Sequence, residues 1–172
     1  MSTIKVDTIQ TRAGAVPKAS DLGLNVTGNV LQVVSTTKTD AFSTASGTFV
    51  DITGLSATIT PTSTSSKVLI KIDFTISSSD VSGLNTFNLV RDSTNIAQPS
   101  GSATFQGSFL GYLQNSDNIL PMSYSFLDSP SSTSATTYKI QMKTNSGTQY
   151  INRRLSTDCA STSTITVMEI GG

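Results

Sequence analysis

Residues 67–77 have the sequence KVLIKIDFTIS, and every even position in this stretch carries an apolar side chain. The odd positions carry Lys, Leu, Lys, Asp, Thr and Ser. Successive side chains of an extended strand point to opposite faces of a sheet, so a period of two is typical of an antiparallel strand with one buried face. Ile72, in the even series, is therefore predicted to lie in the core, and Leu69, in the odd series, on the outward face.

Alternation of this kind recurs along the chain and predicts further strands. The sequence YKIQMK at residues 138–143 alternates apolar and cationic or polar side chains. Weaker strands are predicted at Val30 to Ser35, Thr48 to Ile52, Leu55 to Thr60, Thr86 to Arg91, Thr104 to Leu113, Met122 to Leu127, Gln149 to Leu155 and Thr162 to Ile170. Polar turns, such as Thr53-Gly54, separate them, and no segment has the 3.6-residue period of an amphipathic helix. We predict an all-β fold, an antiparallel β-sandwich of the jelly-roll type with almost no helix.

The first 29 residues differ from the rest of the chain. Ile4, Val6 and Ile9 suggest one short strand, but residues 11–29 contain scattered Gly and Pro without a sustained period. Such a segment cannot bury enough apolar surface to fold alone, so it is either a mobile tail or an arm that becomes ordered against a partner. We predict an extended N-terminal docking arm at residues 1–29, with Ile4, Val6 and Ile9 as its contact residues, and a head domain at residues 30–172.

Hydroxyl side chains dominate the composition, with 28 Ser and 27 Thr among 172 residues. A Ser/Thr-rich chain with few charges can be disordered, but hydrophobic residues make up 36% of this one, which is enough to form a core. Thr is β-branched and favours strands, whereas Ser favours turns. The composition therefore predicts Thr at outward strand positions and Ser in the turns.

Several kinds of chemistry are excluded by what the sequence lacks. The chain has no His, which excludes a Ser-His-Asp relay and an HExxH zinc helix, and its single Cys159 cannot form an intrachain disulfide. The formal net charge is zero, so no basic field favours nucleic acid or an anionic membrane. Apolar runs are far shorter than the roughly 20 residues of a membrane helix, and the N-terminus does not resemble a signal peptide. We expect no cofactor, no nucleic-acid partner and no membrane insertion.

The acidic residues offer the remaining route to catalysis or metal binding. A glycosidase would need two carboxylates at a defined separation across a sugar. Most of the aspartates stand beside turn residues, where Asp accepts hydrogen bonds from backbone amides, so we predict structural roles and no catalytic residue. Asp80, residues 115–118 and Asp128 could supply oxygen ligands to calcium, but no D-x-D-x-D run with a closing acid occurs, and we predict no metal site.

Two parts of the chain resemble proteins of tailed bacteriophages. The opening MSTIKVDTIQTRAG, continuing through DLGLNVTGNVLQV, resembles the N-terminal segment of tail-fibre-like and other virion proteins, especially from phages of aquatic bacteria including cyanobacteria. The segments FSTASGTFVDITGLSATITPTSTSSKVLIKIDFTIS, NLVRDSTNI, YSFLDSPSSTSATTYKIQMKTNSGTQYINR and STITVMEI resemble the jelly-roll head, similar in shape to tumour necrosis factor, that closes many phage fibres. The resemblance implies a homotrimer whose N-terminal segment joins other virion proteins and whose head is exposed. It implies no conserved active site.

A trimer needs contact residues, and aromatic side chains beyond the needs of one core often mark an oligomer axis. Phe105, Phe109 and Tyr112 lie in the predicted strand 104–113, and we predict that they belong to the trimer interface. The outward residues Leu69 and Leu110 are expected there as well. Plain core packing of these rings, or stacking of a receptor saccharide on Tyr, are the alternatives.

Arg153 is the remaining residue predicted at the trimer interface. It belongs to the only contiguous basic pair, and in a strand the two Arg side chains point to opposite faces. A buried Arg needs a carboxylate partner, for which Asp128 and Glu169 are the candidates. A structural ion pair at a subunit contact is favoured over a ligand site, because Arg is enriched at interfaces.

These features give three hypotheses about function. The first is a non-enzymatic virion protein, a short trimeric tail-fibre knob that is made in the bacterial cytoplasm, docks by its arm and exposes its head to a host-surface saccharide. Because Val30 leads directly into the head, the chain has no room for the shaft of a long fibre. The second is a capsid decoration or head-fibre protein that reinforces the shell, and the third is a glycan depolymerase. The host, the receptor, its contact loops and the partner of the arm are left open.

Overall fold

The computed structural model describes residues 27–80, 83–113 and 118–172, and the predicted contact residues of the arm, Ile4, Val6 and Ile9, lie outside these ranges. The described residues form eleven β-strands and no helix. The strands are β1 (Val30–Lys38), β2 (Phe42–Thr44), β3 (Val50–Ile59), β4 (Lys67–Ser78), β5 (Leu84–Arg91), β6 (Thr94–Ile96), β7 (Phe109–Tyr112), β8 (Leu120–Asp128), β9 (Thr136–Thr144), β10 (Gln149–Ile151) and β11 (Ser163–Ile170). All the pairings between them are antiparallel, which confirms the predicted fold class.

The strands form two sheets. In sheet A, β4 is central: β8 pairs with one edge, β11 and the short β10 pair with the other, and β1 and β2 lie beyond them. In sheet B the order is β3, β9, β5, and both β6 and β7 pair with the far edge of β5. The long strands thus have the orders β1-β11-β4-β8 and β3-β9-β5-β7, which is the eight-strand double-sheet arrangement of a jelly roll.

The core lies between the two sheets. Every even-numbered side chain from Val68 to Ile76 is buried, with at most 3% of its surface exposed, as the period of two predicts. The facing side chains of sheet B include Phe87, Leu89 and Ile140, all 0% exposed. Phe74 and Phe87 meet edge to face, with ring centroids 5.2 Å apart. Burial of these side chains, worth about 1.5 to 3 kcal/mol each, is the main force that holds the sheets together.

Two predicted strands join into one. The stretches 48–52 and 55–60 are continuous in β3, and the predicted turn Thr53-Gly54 is wrong, because these residues form an irregularity inside the strand. The pairing register with β9 shifts between Asp51 and Ser56, and Gly54 has a φ of +81°, which glycine tolerates best. The extra residues allow Ile52 and Leu55, which have opposite parity, both to face the core.

Two other predicted strands are shorter than expected. The strand predicted over 104–113 is present only at Phe109–Tyr112, because the hydroxyl of Ser108 accepts the Leu89 amide hydrogen at 2.8 Å in place of a backbone carbonyl. The strand predicted over 149–155 ends at Ile151, where Asn152 adopts a φ of +64°. The short strands β2 and β6 were not predicted, since three residues give too little alternation to detect.

Candidate functional site

The outward face of sheet A carries an uncovered apolar row. Val33 on β1, Met168 on β11, Leu69 on β4 and Leu127 on β8 are direct cross-strand partners and so form one line across four strands. Val33 is 56% exposed and Leu127 is 47% exposed, while Leu69 and Met168 are half-buried by their neighbours. We call these four residues the apolar row.

Hydroxyl groups surround the apolar row on the same face. The Ser35 and Thr166 hydroxyl oxygens are 2.9 Å apart across β1 and β11, and the Ser123 hydroxyl donates to Asp73 at 2.8 Å. Lys71 also donates to Asp73, and these two bonds hold the pKa of that carboxyl below its usual value. The face therefore combines hydroxyl groups and the Lys71–Asp73 ion pair with the apolar row.

A second exposed apolar area lies where β7 of sheet B meets the start of β8 of sheet A. Leu110 and Tyr112 alternate on the outward side of β7 and are 46% and 55% exposed. Leu120, at the start of β8, is 36% exposed. We call these three residues the β7 patch. Tyr112 and Leu120 also line a shared cavity of about 200 Å³.

The residues predicted for the trimer interface do not lie together in one subunit. Leu69 is part of the apolar row, Tyr112 belongs to the β7 patch, and Phe105 lies outside any strand in the segment before β7. Phe109 faces the interior, where its ring stacks on Phe87 and Tyr124 at centroid distances of 4.9 and 4.6 Å. This ring therefore contributes to the core of its own subunit.

Arg153 does not pair with either predicted carboxylate. Its guanidinium lies over the ring of Tyr150, 4.2 Å from the centroid, and donates to the carbonyl of Arg154 at 3.2 Å. The predicted partners are occupied elsewhere, Asp128 by Arg91 and Glu169 by Thr62. The ring of Tyr150 thus takes the place of a carboxylate as the partner of the Arg153 cation. The positions of the acidic residues in the sequence gave no indication of this contact.

Asp128 instead joins the two sheets at one end of the sandwich. Its carboxylate, at the end of β8, accepts hydrogen bonds from Arg91 at 2.8 Å and from the Tyr138 hydroxyl at 2.8 Å, both on sheet B. Burial, reinforced by the bond to the Asp128 carboxylate, raises the pKa of Tyr138. A charged group in the interior is stable only with such partners, so this triad is a structural clamp.

Glu169 is fully buried in sheet A and fastens the loop between β3 and β4. The backbone amide and the hydroxyl of Thr62 both donate to its Oε1 at 2.7 Å. Burial raises the pKa of Glu169, but the bonds from Thr62 outweigh that effect and hold the pKa below its ordinary value.

The described aspartates bind both backbone amides and cationic side chains. Asp92 accepts the Thr137 amide at 2.9 Å. Five others pair with cationic side chains, namely Asp40, Asp51, Asp73, Asp128 and Asp158. Within residues 27–80, 83–113 and 118–172, no cluster of three or more His, Cys, Asp or Glu side chains could hold a metal ion.

A folded loop stands over the outward face of sheet B. Residues 97–108, which we call the β6–β7 loop, begin at Ala97 with a φ of +55°. The Gln98 amide donates to Asn88 on β5 at 3.3 Å and to the Ser108 hydroxyl at 3.0 Å. Gly107 lies so close to β5 that a Cβ there would be 2.7 Å from the Thr86 methyl group. These contacts hold both ends of the loop on the sheet.

Two cavities open beside this loop, and Phe105 lines both of them. The larger, about 570 Å³, is enclosed mainly by the loop's own residues between Pro99 and Leu110. The smaller, about 290 Å³, lies between the loop and the sheet, and we call it the sheet-B cavity. It is lined by Gly47, Thr86, Thr104, Phe105, Lys143, Thr144 and Asn145.

Several of these surface residues were missed by the sequence reasoning. Val33, Leu127 and Met168 lie on three different strands, and only the cross-strand register aligns them with Leu69. Thr86 and Lys143 were recognised as strand residues, but no local pattern indicated that the β6–β7 loop would enclose them. The alternation in YKIQMK did place Lys143 on the polar, outward side of its strand, so its exposure on that face could be predicted.

Comparisons with known proteins do not assign the chain to a family. In the described part of the chain, no helix has the length and apolar character needed to cross a membrane. No family model and no curated protein matches the sequence. One solved structure with a related shape is entitled "Structure of infectious bursal disease virus Gx strain"; it has 15% identity and a TM-score of 0.41, over 83% of this chain and 39% of that chain. This chain therefore corresponds to less than half of that one, and a likeness at this level bears on neither family nor function.

Proposed function

We propose that this protein is a non-enzymatic structural component of a virion, a short trimeric knob that docks through residues 1–29 and presents its jelly-roll head for attachment to the host surface. The proposal rests on the resemblance of both segments to phage virion proteins, together with the jelly-roll fold. The observation that carries the assembly is the apolar row, which a solitary subunit would leave in water.

A closed ring of three subunits needs two different surfaces on each subunit. In such a head-to-tail arrangement, one patch of each copy contacts a different patch of the next copy. The head has two exposed apolar areas, the apolar row on sheet A and the β7 patch between β7 and the start of β8. Both are free of ion pairs among the described residues, as is usual at the centre of a stable interface. The apolar row against the β7 patch is therefore the contact that we propose.

Native mass spectrometry of the full chain tests this assembly. The wild type should be a trimer, and Leu127→Lys should yield folded monomers, because an ammonium group would be desolvated inside the apolar contact. Thr137→Lys, on the outward face of sheet B, is the matched control and should remain trimeric. A monomeric wild type, or a Leu127→Lys protein that stays trimeric, would rule out the proposed interface.

The position of the protein in the particle is a separate question that copy number answers. A tail knob should be present in few copies per particle, whereas a capsid decoration protein should be present in many. Removing residues 1–29 should leave a folded trimer that no longer joins particles, because the head has its own core. Unfolding of the truncated head would show that the arm belongs to the core instead.

A further inference from the structure

We infer that the sheet-B cavity binds a saccharide, with a pyranose ring against Phe105 and the polar groups of the sugar toward Thr86, Lys143 and Asn145. This inference rests on the proposed role in host attachment and gives it a location. The cavity, about 290 Å³, has the volume of roughly one sugar residue and is open to solvent on one side.

Phe105 supplies the apolar wall of the site. Its side chain is 37% exposed, unlike the interior Phe87, and it separates the sheet-B cavity from the larger cavity within the loop. The faces of pyranose rings carry C–H groups, and these pack on aromatic rings as other apolar groups do. The loop that carries Phe105 is fixed by the bonds of Gln98 and Ser108, so the ring is positioned before any ligand binds.

Thr86 lines the cavity and is 1% exposed. Its hydroxyl oxygen is buried behind the cavity surface and has no hydrogen-bond partner among the described residues, so a sugar hydroxyl reaches it only when the wall of the cavity opens slightly. A buried hydroxyl without a partner is costly, so a group that normally bonds it is expected. Thr104, Thr144 and Asn145 add polar groups to the same wall, and a sugar hydroxyl can both donate to and accept from such groups.

Lys143 favours an acidic sugar over a neutral one. It is the direct cross-strand partner of Thr86, and its ammonium lies 4.7 Å from the centroid of the Phe49 ring. None of the described carboxylates pairs with this ammonium. A uronic acid would supply the missing anion, while the Phe49 ring holds the cation in place.

The proposed ring of subunits constrains the surroundings of this site. If the apolar row of one copy covers the β7 patch of the next, the sheet-B cavity lies beside the subunit contact, because Leu110 of the patch is the direct cross-strand partner of Thr86. Three equivalent sites on one rigid particle would convert a weak contact with a sugar into strong attachment to a polysaccharide surface.

Binding of the labelled full chain to a printed array of bacterial surface polysaccharides tests the inference, with neutral and uronic-acid-containing glycans side by side. We expect binding to uronic-acid-containing glycans, reduced about tenfold by Phe105→Ala and about fivefold by Thr86→Val. Lys143→Gln should weaken binding to the acidic glycans more than to neutral ones. Thr137→Val, six positions from Lys143 on the same strand and face, is the matched control and should bind as the wild type does.

The following results would contradict the inference. Binding that Phe105→Ala and Thr86→Val leave unchanged would place the glycan elsewhere on the head, and binding to neutral glycans alone would remove Lys143 from the site. The oligomeric state of the same sample separates the two proposals. A trimer that binds no glycan would overturn the saccharide site and leave the virion knob standing, whereas a monomer that binds glycan through Phe105 would do the reverse.

Discussion

The two sheets share one core, but their outward faces differ. Sheet A presents small hydroxyl side chains and one continuous apolar row, and the segment after β10 covers the end of this face at Thr75 and Ser77. Sheet B presents a polar network, in which Lys139 and Gln141 both donate to Asp51 at 2.7 Å, and the β6–β7 loop stands on part of it. The outward face of sheet A is thus suited to another protein surface, whereas sheet B carries both the apolar β7 patch and a cavity suited to a small polar ligand. The outward side chains of the alternating strands therefore determine the interactions of the protein, while the inward side chains determine its fold.

The difference has a simple physical origin. A flat row of aliphatic side chains gains free energy only when water is removed over a broad area, as in a subunit contact. A loop that stands on a sheet produces a concave surface, where several polar groups can reach one small molecule. The sheets can therefore take separate roles without any change in their common core.

The largest effect on the free energy of unfolding is expected from a substitution in the core between the two sheets. Ile72→Asp should prevent folding of the head, because an unpaired carboxylate at a 0% exposed position costs several kcal/mol, about 4 or more. Lys71→Ala, the outward neighbour, should shift stability by less than about 1 kcal/mol. Circular dichroism during urea unfolding measures both. A native-like transition in the Ile72→Asp protein would mean that the inward face is assigned incorrectly.

A smaller effect on the free energy of unfolding is expected at Asp128, which joins the two sheets through Arg91 and Tyr138. Asp128→Asn should lower the free energy of unfolding by about 2 to 3 kcal/mol, because it leaves the Arg91 guanidinium without its anion. Tyr138→Phe removes only one hydrogen bond of the same clamp and should cost about 1 kcal/mol. Urea midpoints of the two variants give the comparison, and equal values would show that the charge of Asp128 contributes nothing.

Detaching the β6–β7 loop from sheet B should make the outward faces of the two sheets more alike. Gly107→Ala would place a Cβ against the Phe87 carbonyl and the Thr86 methyl group, so the loop must move away at a cost of about 1 to 2 kcal/mol. Faster proteolytic cleavage within residues 97–108 is the expected readout. Gly47→Ala, where a Cβ would meet nothing closer than 3.9 Å, is the control and should be cleaved at the wild-type rate.

The smallest effect concerns acid stability near the end of β11 in sheet A. The pKa of Glu169 is lowered in the folded protein, so its contribution to stability is complete above the unfolded-state value near 4.5 and is lost as the pH falls through the folded-state pKa. Glu169→Gln should therefore flatten the dependence of the urea midpoint on pH between about 3 and 5. An unchanged slope would mean that Glu169 titrates alike in both states.

Alternation predicted the fold class because it is a local property of each strand. Parity alone placed the buried side of residues 67–76 correctly, but Ser77, predicted to face outward, is 0% exposed because the segment at Arg153 covers it. Ser35, Ser123 and Ser125 lie on strands of sheet A, within the two strands predicted at Val30 to Ser35 and Met122 to Leu127, although Ser as a residue type favours turns.

The candidate surfaces were harder to predict, since they depend on contacts between distant segments. Leu69 was predicted to face outward, but its partners Met168 and Leu127 come from strands far away in the sequence. Phe105 was predicted on a strand with Phe109, yet it belongs to a loop whose position depends on Gln98, Ser108 and Gly107. No period in the sequence encodes such contacts.

Residue order alone was enough to predict an all-β chain and the inward face of its longest strand, and the composition lacks the side chains that a histidine-dependent catalyst needs. These follow from residue identity and from the two-residue period of an extended backbone. The three-dimensional fold was needed to show which strands are neighbours, and hence that four apolar residues form a row and that Thr86, Phe105 and Lys143 line one cavity. Long-range pairing sets those neighbours through the register of the sheets, and the register is fixed by the whole core at once.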